Sequence, residues 1–143
     1  MTRHSANFWS IRVFRSEVGG SNTEGREREM SNFKSLYDRK GRPINEAQWV
    51  DLFQNDDYRV IQEDKCGIYH VSTIWFGCDR NGSTSNLIFE TVIFSKKDYS
   101  HVSMLCMWRS PTEDIARTIH AIVVSNLKEG CDPQTIEITN PFN

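Results

Sequence analysis

Apolar and polar residues alternate most regularly between Ile68 and Arg109. Three runs there, IYHVSTIWF, LIFETVIFS and HVSMLCMWR, are joined by the polar links GCDRNGSTSN and KKDYS. A period of two is the mark of a strand, because successive side chains leave opposite faces of the pleat. It sets Ile68, His70, Ser72, Ile74 and Phe76 on one face and Tyr69, Val71, Thr73 and Trp75 on the other. In the second run Leu87, Phe89, Thr91 and Ile93 oppose Ile88, Glu90, Val92 and Phe94. Both sets are largely apolar, so this run is expected at the centre of a sheet, covered on both sides. In the third, Val102, Met104, Cys106 and Trp108 oppose Ser103, Leu105, Met107 and Arg109. Short links favour antiparallel pairing over crossovers. With tight turns, Thr73 and Cys106 would lie nearly opposite Glu90.

Upstream, YRVIQE (58–63) alternates and predicts a further strand with one wet face, closed by a turn at Lys65-Cys66-Gly67. Before it the period lengthens. Asn45 suits an N-cap with Gln48 at the third helical position, a variant of the capping box, and Ile44 and Trp49 have the spacing of a hydrophobic staple. Trp49, Leu52 and Phe53 share a face, predicting a short helix from about 45 to 54 that stops at Asn55-Asp56-Asp57. SLYD and RKGRPI predict a short strand and a turn around Gly41. Downstream, Ser110 as N-cap, Pro111 in the first turn and Glu113 completing a capping box predict a second helix. Its apolar stripe is Ile115, Ala116, Ile119, Ile122, Val123 and Leu127, with Glu113 and Arg117 paired four apart on the wetter side. Lys128 and Gly130 suit its end, and TIEIT in the tail reads as a candidate edge strand. The expected order is β-α-β-β-β-β-α. That is an α+β fold, a four-stranded antiparallel meander carrying two helices.

Composition adds bounds. The chain has 143 residues, 38% hydrophobic and 25% charged, with a net charge of −2. One domain with its own core is expected, over residues 30–130, with 131–143 as a C-terminal tail. The charge gives no field that would gather nucleic acid or an anionic membrane. No run approaches the ~20 apolar residues of a membrane helix, and MTRHSANFWS lacks the order of a signal peptide. A cytoplasmic protein is expected. Residues 1–29 have little to bury, and two readings stay open for them. One is a flexible tail. The other is a translated leader, since Glu24-Gly25-Arg26-Glu27-Arg28-Glu29 can be encoded almost wholly by purines, like a ribosome-binding sequence, and Met30 follows directly. The four cysteines form no CxxC pair, so free thiols are expected in a reducing compartment.

The candidate chemistry is sparse. Glu90 stands between Ile88 and Val92 on one face, and a buried carboxylate there needs a partner or a proton. It reads either as a general base, metal ligand or ligand-binding carboxylate, or as a structural group bonded to a hydroxyl, an arginine or a helix-end amide. The ten-residue link Gly77–Asn86 carries Asp79 and Arg80 and exceeds a tight hairpin; its amides and Arg80 could hold an anion. His120 lies on the border of the second helix and is a candidate acid–base group, while His70 lies within a strand. No spacing supports a metal site, and neither metal nor cofactor is expected. Tyr69, Trp75 and Trp108 lack surrounding lysine and arginine, so they are read as core rather than a base-stacking platform.

Together WVDLF, DYRV, VSTIWFGCD, LIFETVIF and RSPTEDIARTIH resemble an uncharacterised family of small proteins common in actinobacteria and their phages. The resemblance spans about 30 to 125 and rests on Trp49, Leu52 and Phe53; Asp57, Tyr58 and Arg59; and Val71, Ser72, Thr73, Trp75, Gly77 and Asp79. It continues through Ile88, Phe89, Glu90, Thr91 and Phe94 to Arg109, Thr112, Ala116 and His120. Val92, Ser110 and Ile119 depart from the family's pattern of Met, Tyr and Gly. The resemblance implies Asp79, Glu90, Arg109 and His120 as shared polar positions, and a phage or prophage setting. The expectation is a small non-enzymatic accessory protein that binds a host protein or small ligand. Asp79, Arg80, Glu90 and Arg109 are its candidate binding residues. The alternative is a small hydrolase using Glu90 with Asp79, Arg109 and His120.

Overall fold

Turn chemistry sets the first described element. In the computed structural model, which describes residues 35–79, 86–96 and 102–139, β1 (Leu36–Tyr37) and β2 (Pro43–Ile44) form a small hairpin. Its turn uses Gly41 in the left-handed region, φ 79°. The Asp38 carboxylate accepts from the amides of Lys40 and Arg42 and from Arg42 Nε. Burial works against that charge, but the Arg42 and Lys40 donors outweigh it and hold the carboxyl below its ordinary range.

The first helix, α1 (Glu46–Gln54), begins as its sequence predicts. Asn45 Oδ1 accepts from the Gln48 amide at 2.8 Å, and Gln48 Oε1 accepts from the Asn45 amide at 3.0 Å. Trp49 and Phe53 are its buried residues and stack 4.7 Å apart. It stops at Asn55 as expected, and a further single turn follows at once, α2 (Asp56–Arg59), whose acidic first turn suits a helix N-terminus. Arg59 is buried there, over the Phe53 ring at 5.1 Å and bonded to Asp56.

The sheet has the expected order. Strands β3 (Val60–Cys66), β4 (Tyr69–Trp75), β5 (Phe89–Lys96) and β6 (Val102–Ser110) pair antiparallel in sequence order. Every residue of β5 from Phe89 to Ser95 is buried, as its doubly apolar pattern requires. Helix α3 (Glu113–Lys128) covers the face that carries Val71, Ile93 and Trp108, closing a core with Ile119, Val123, Val124 and Leu127. The fold is α+β, with a four-stranded antiparallel sheet, a two-stranded hairpin and packed helices.

Three expectations are corrected. Glu90 pairs with Ile74 and Arg109, not with Thr73 and Cys106. The long β4–β5 link sets Thr73 opposite Thr91, and a bulge between Ile93 and Phe94 shifts β6. A one-residue slip moves a side chain to the other face, so the change matters. The N-cap of α3 is Thr112, whose Oγ1 accepts from the Ile115 amide at 3.3 Å. Ser110 instead ends β6, and the shift of the cap makes Glu113 the first helical residue rather than the third, so it completes no capping box and bonds Arg39 and Arg117. Finally, TIEIT forms no strand. Asp132 caps a 3-10 turn at Pro133–Thr135, the Cys106 thiol donates to the Pro133 carbonyl at 3.3 Å, and Ile136 enters the core. The supposed tail is thus packed from Cys131 to Ile138. Residues 1–29 and Met30 lie outside the described residues.

Candidate functional site

The two faces of the sheet hold two separate polar groups. On the α3 face, Thr73 and Thr91 are directly opposite in register and their hydroxyls lie 2.8 Å apart. Thr73 Oγ1 also lies 2.7 Å from His120 Nδ1, and His120 Nε2 lies 2.7 Å from Asp64 Oδ2. With Asp64 as a carboxylate, Nε2 carries the proton and Nδ1 accepts from Thr73. Four side chains from β3, β4, β5 and α3 thereby form one continuous hydrogen-bonded chain. His120 was expected at the border of its helix, yet it is 0% exposed at the helix–sheet interface. Burial holds its imidazole below the ordinary histidine range, partly opposed by the bond and charge of Asp64.

Asp, His and a hydroxyl in sequence invite comparison with a nucleophilic triad. The direction is wrong for that chemistry. Thr73 is 0% exposed, so the would-be nucleophile is sealed inside the core, whereas the Asp64 side chain is 39% exposed. A substrate approaching from solvent meets the carboxylate first and has no route to the hydroxyl. The chain joins α3 to three strands, and each of its bonds contributes ~0.5–1.5 kcal/mol net.

The other face carries Glu90. Its Oε1 lies 3.4 Å from Nε of Arg109, the residue opposite it on β6. Glu90 is 5% exposed, while the Arg109 side chain keeps 19%. Farther along the same face, Glu63 Oε1 lies 3.5 Å from Ser72 Oγ and 3.7 Å from His70 Nε2. In the Glu90–Arg109 pair opposite charges are matched, which is what the burial of charge requires.

The candidate residues therefore divide. Glu90 and Arg109 are brought together, across one strand pair. Asp79 stands at the root of the β4–β5 link, where its Oδ2 accepts from the Leu87 amide at 3.3 Å. Asp79, Glu90 and Arg109 all belong to the end of the sheet where β4 leaves and β5 enters. His120 is not with them, because its partner Thr73 and Glu90 point to opposite faces. Arg80 lies outside the described residues. Among the described residues no group of three or more His, Cys, Asp and Glu side chains is arranged to hold a metal ion. Trp75 and Trp108 are buried in the core, as their surroundings predicted.

Asp64 and Thr73 escaped the sequence reading. YRVIQE placed the strand end at Glu63, whereas β3 runs to Cys66 and includes Asp64. A signal was present: aspartate is depleted in strands, so an aspartate that continues an alternating run invites a search for its partner. Comparison with protein-family models, curated proteins and solved structures finds no match to this chain.

Proposed function

We propose that this chain is a non-enzymatic binding protein of the cytoplasm, an accessory factor of phage or prophage type. Its recognition surface is the end of the sheet bearing Glu90, Arg109 and Asp79. The observation that carries the reading is the division of the polar groups between the two faces. The hydrogen-bonded Asp64–His120–Thr73 constellation has its hydroxyl at the buried end, where it serves the packing of α3. At the other face a carboxylate and a guanidinium stand side by side, with the guanidinium partly open to solvent. Such a pair suits a small polar ligand that carries both signs of charge, because Arg can receive a carboxylate in a planar fork while Glu receives an ammonium group. Four free cysteines agree with a reducing compartment.

Binding calorimetry with a panel of amino acids, dicarboxylates and inorganic phosphate tests this. The expected result is saturable binding of a zwitterionic or anionic member, weakened at least tenfold by Arg109→Lys, which keeps the charge and loses the fork. Binding untouched by that substitution would remove Arg109 from the surface.

A further inference from the structure

The hydrogen-bonded chain beneath α3 is complete in only one protonation state. With a neutral imidazole three hydrogens serve three links: Thr91 O–H to Thr73, Thr73 O–H to Nδ1, and Nε2–H to Asp64. A fourth hydrogen on Nδ1 reverses the inner links, so Nδ1–H donates to Thr73 and Thr73 donates to Thr91. The Thr91 hydrogen is then left over. Thr91 is 0% exposed, and among the described residues its hydroxyl has no other bonded partner. Protonation thus strands a donor in the core and buries a positive charge with it.

We propose that the Asp64–His120–Thr73–Thr91 chain is an acid-sensitive latch that holds α3 on the sheet while the imidazole is neutral and loosens it when the imidazole is protonated. The groups facing His120 set the balance. From β3, Asp64 attracts the cation, but its exposed carboxylate is screened by solvent. From β4, His70 opposes it from the other face of the sheet, and from α3 itself so does Arg117. β5 contributes the neutral Thr91, and β6 presents Trp108 in the same row. Burial is the largest influence and acts against the charged ring. The folded protein therefore binds this proton less readily than the unfolded chain, whose histidine titrates near about 6.5. The latch is fully closed above that pH and weakens as the pH falls through the folded-state value.

Nitrogen-15 NMR of the ring, combined with hydrogen exchange along α3 in the full chain, tests this between pH 8 and pH 5. At pH 7.5 His120 is expected as the Nε2–H tautomer, titrating below about 6.5. Over the same range the amides of Ile119, Val123 and Val124 lose protection, after correction for intrinsic exchange, by up to about tenfold per pH unit. Asp64→Asn removes the one attracting charge and moves the titration lower, leaving the core untouched. His120→Gln abolishes the pH dependence of α3 exchange. A ring that titrates at or above the ordinary value overturns the proposal, as does α3 protection that stays constant through its titration. Should His120→Gln fail to fold, the wild-type and Asp64→Asn titrations decide alone.

Discussion

Replacing Gly77 with alanine places two penalties on one added methyl group. Gly77 has φ 83°, in the region that L side chains rarely adopt, and a Cβ there would sit 2.5 Å from Trp75 Cζ2 and 2.7 Å from Trp49 Nε1. Neither ring can retreat without loss. Trp49 Nε1 donates to the Phe76 carbonyl at 2.8 Å and Trp75 Nε1 to the Tyr37 carbonyl at 3.1 Å, and both rings are buried. The backbone penalty is ~1–2 kcal/mol, and overpacking adds ~1–3 kcal/mol. Against this, alanine restricts the unfolded chain and returns ~0.4–1 kcal/mol. The net loss for Gly77→Ala is then ~3 kcal/mol, within a span of ~1–4.6 kcal/mol. Gly67 supplies the control, since it also has positive φ, 62°, but a Cβ there meets nothing within 4 Å. Gly67→Ala should cost only about 1 kcal/mol or less. Urea denaturation followed by tryptophan fluorescence measures both, with the two affected indoles as reporters. Equal losses at the two glycines would refute the packing argument and leave only backbone strain.

Ser110→Ala should leave stability unchanged or raise it by up to about 1 kcal/mol, because it removes a buried hydroxyl that has no partner among the described residues; thermal unfolding reads the sign. Arg109→Met should destabilise by ~1–3 kcal/mol by leaving the Glu90 carboxylate short of a cation, and adding Glu90→Leu should recover most of the loss. A double-mutant cycle in urea checks both. Burial works against the Glu113 charge, but Arg39 and Arg117 outweigh it and hold its carboxyl below the ordinary 4.5. The stabilisation from that lowering is present above this pH and fades as the pH falls through the folded-state value. Arg39→Ala should flatten that acid limb of the stability profile, as measured by denaturation midpoints from pH 6 to pH 3.

Strand alternation and helix caps carried most of the architecture into the sequence. The alternation from Ile68 to Arg109 fixed which side chains share a face, and the Asn45–Gln48 pair marked the start of α1 by a local hydrogen-bond exchange. Cross-strand register was not legible, because it depends on the length of the β4–β5 link and on the bulge after Ile93, neither of which has a local signature. That register is why Glu90 meets Arg109 rather than Thr73. The same limit hid the His120 network. Its members are separated by 9, 18 and 29 positions along the chain, at Asp64, Thr73, Thr91 and His120, and only the docking of α3 on the sheet joins them. Ser110 misled for a simpler reason. It has the composition of a cap, but β6 continues through it and Thr112 takes the role.

The reading of this chain as a binding protein stands on which polar face a ligand touches. Two-dimensional amide and side-chain NMR of the labelled protein, titrated with the tightest member of the calorimetric panel, addresses it directly, because the ligand's own signals report turnover in the same sample. Shifts centred on Asp79, Glu90 and Arg109, with the ligand unchanged over a day, are the predicted result. Shifts centred on Asp64, Thr73 and His120, accompanied by conversion of the ligand, would contradict it.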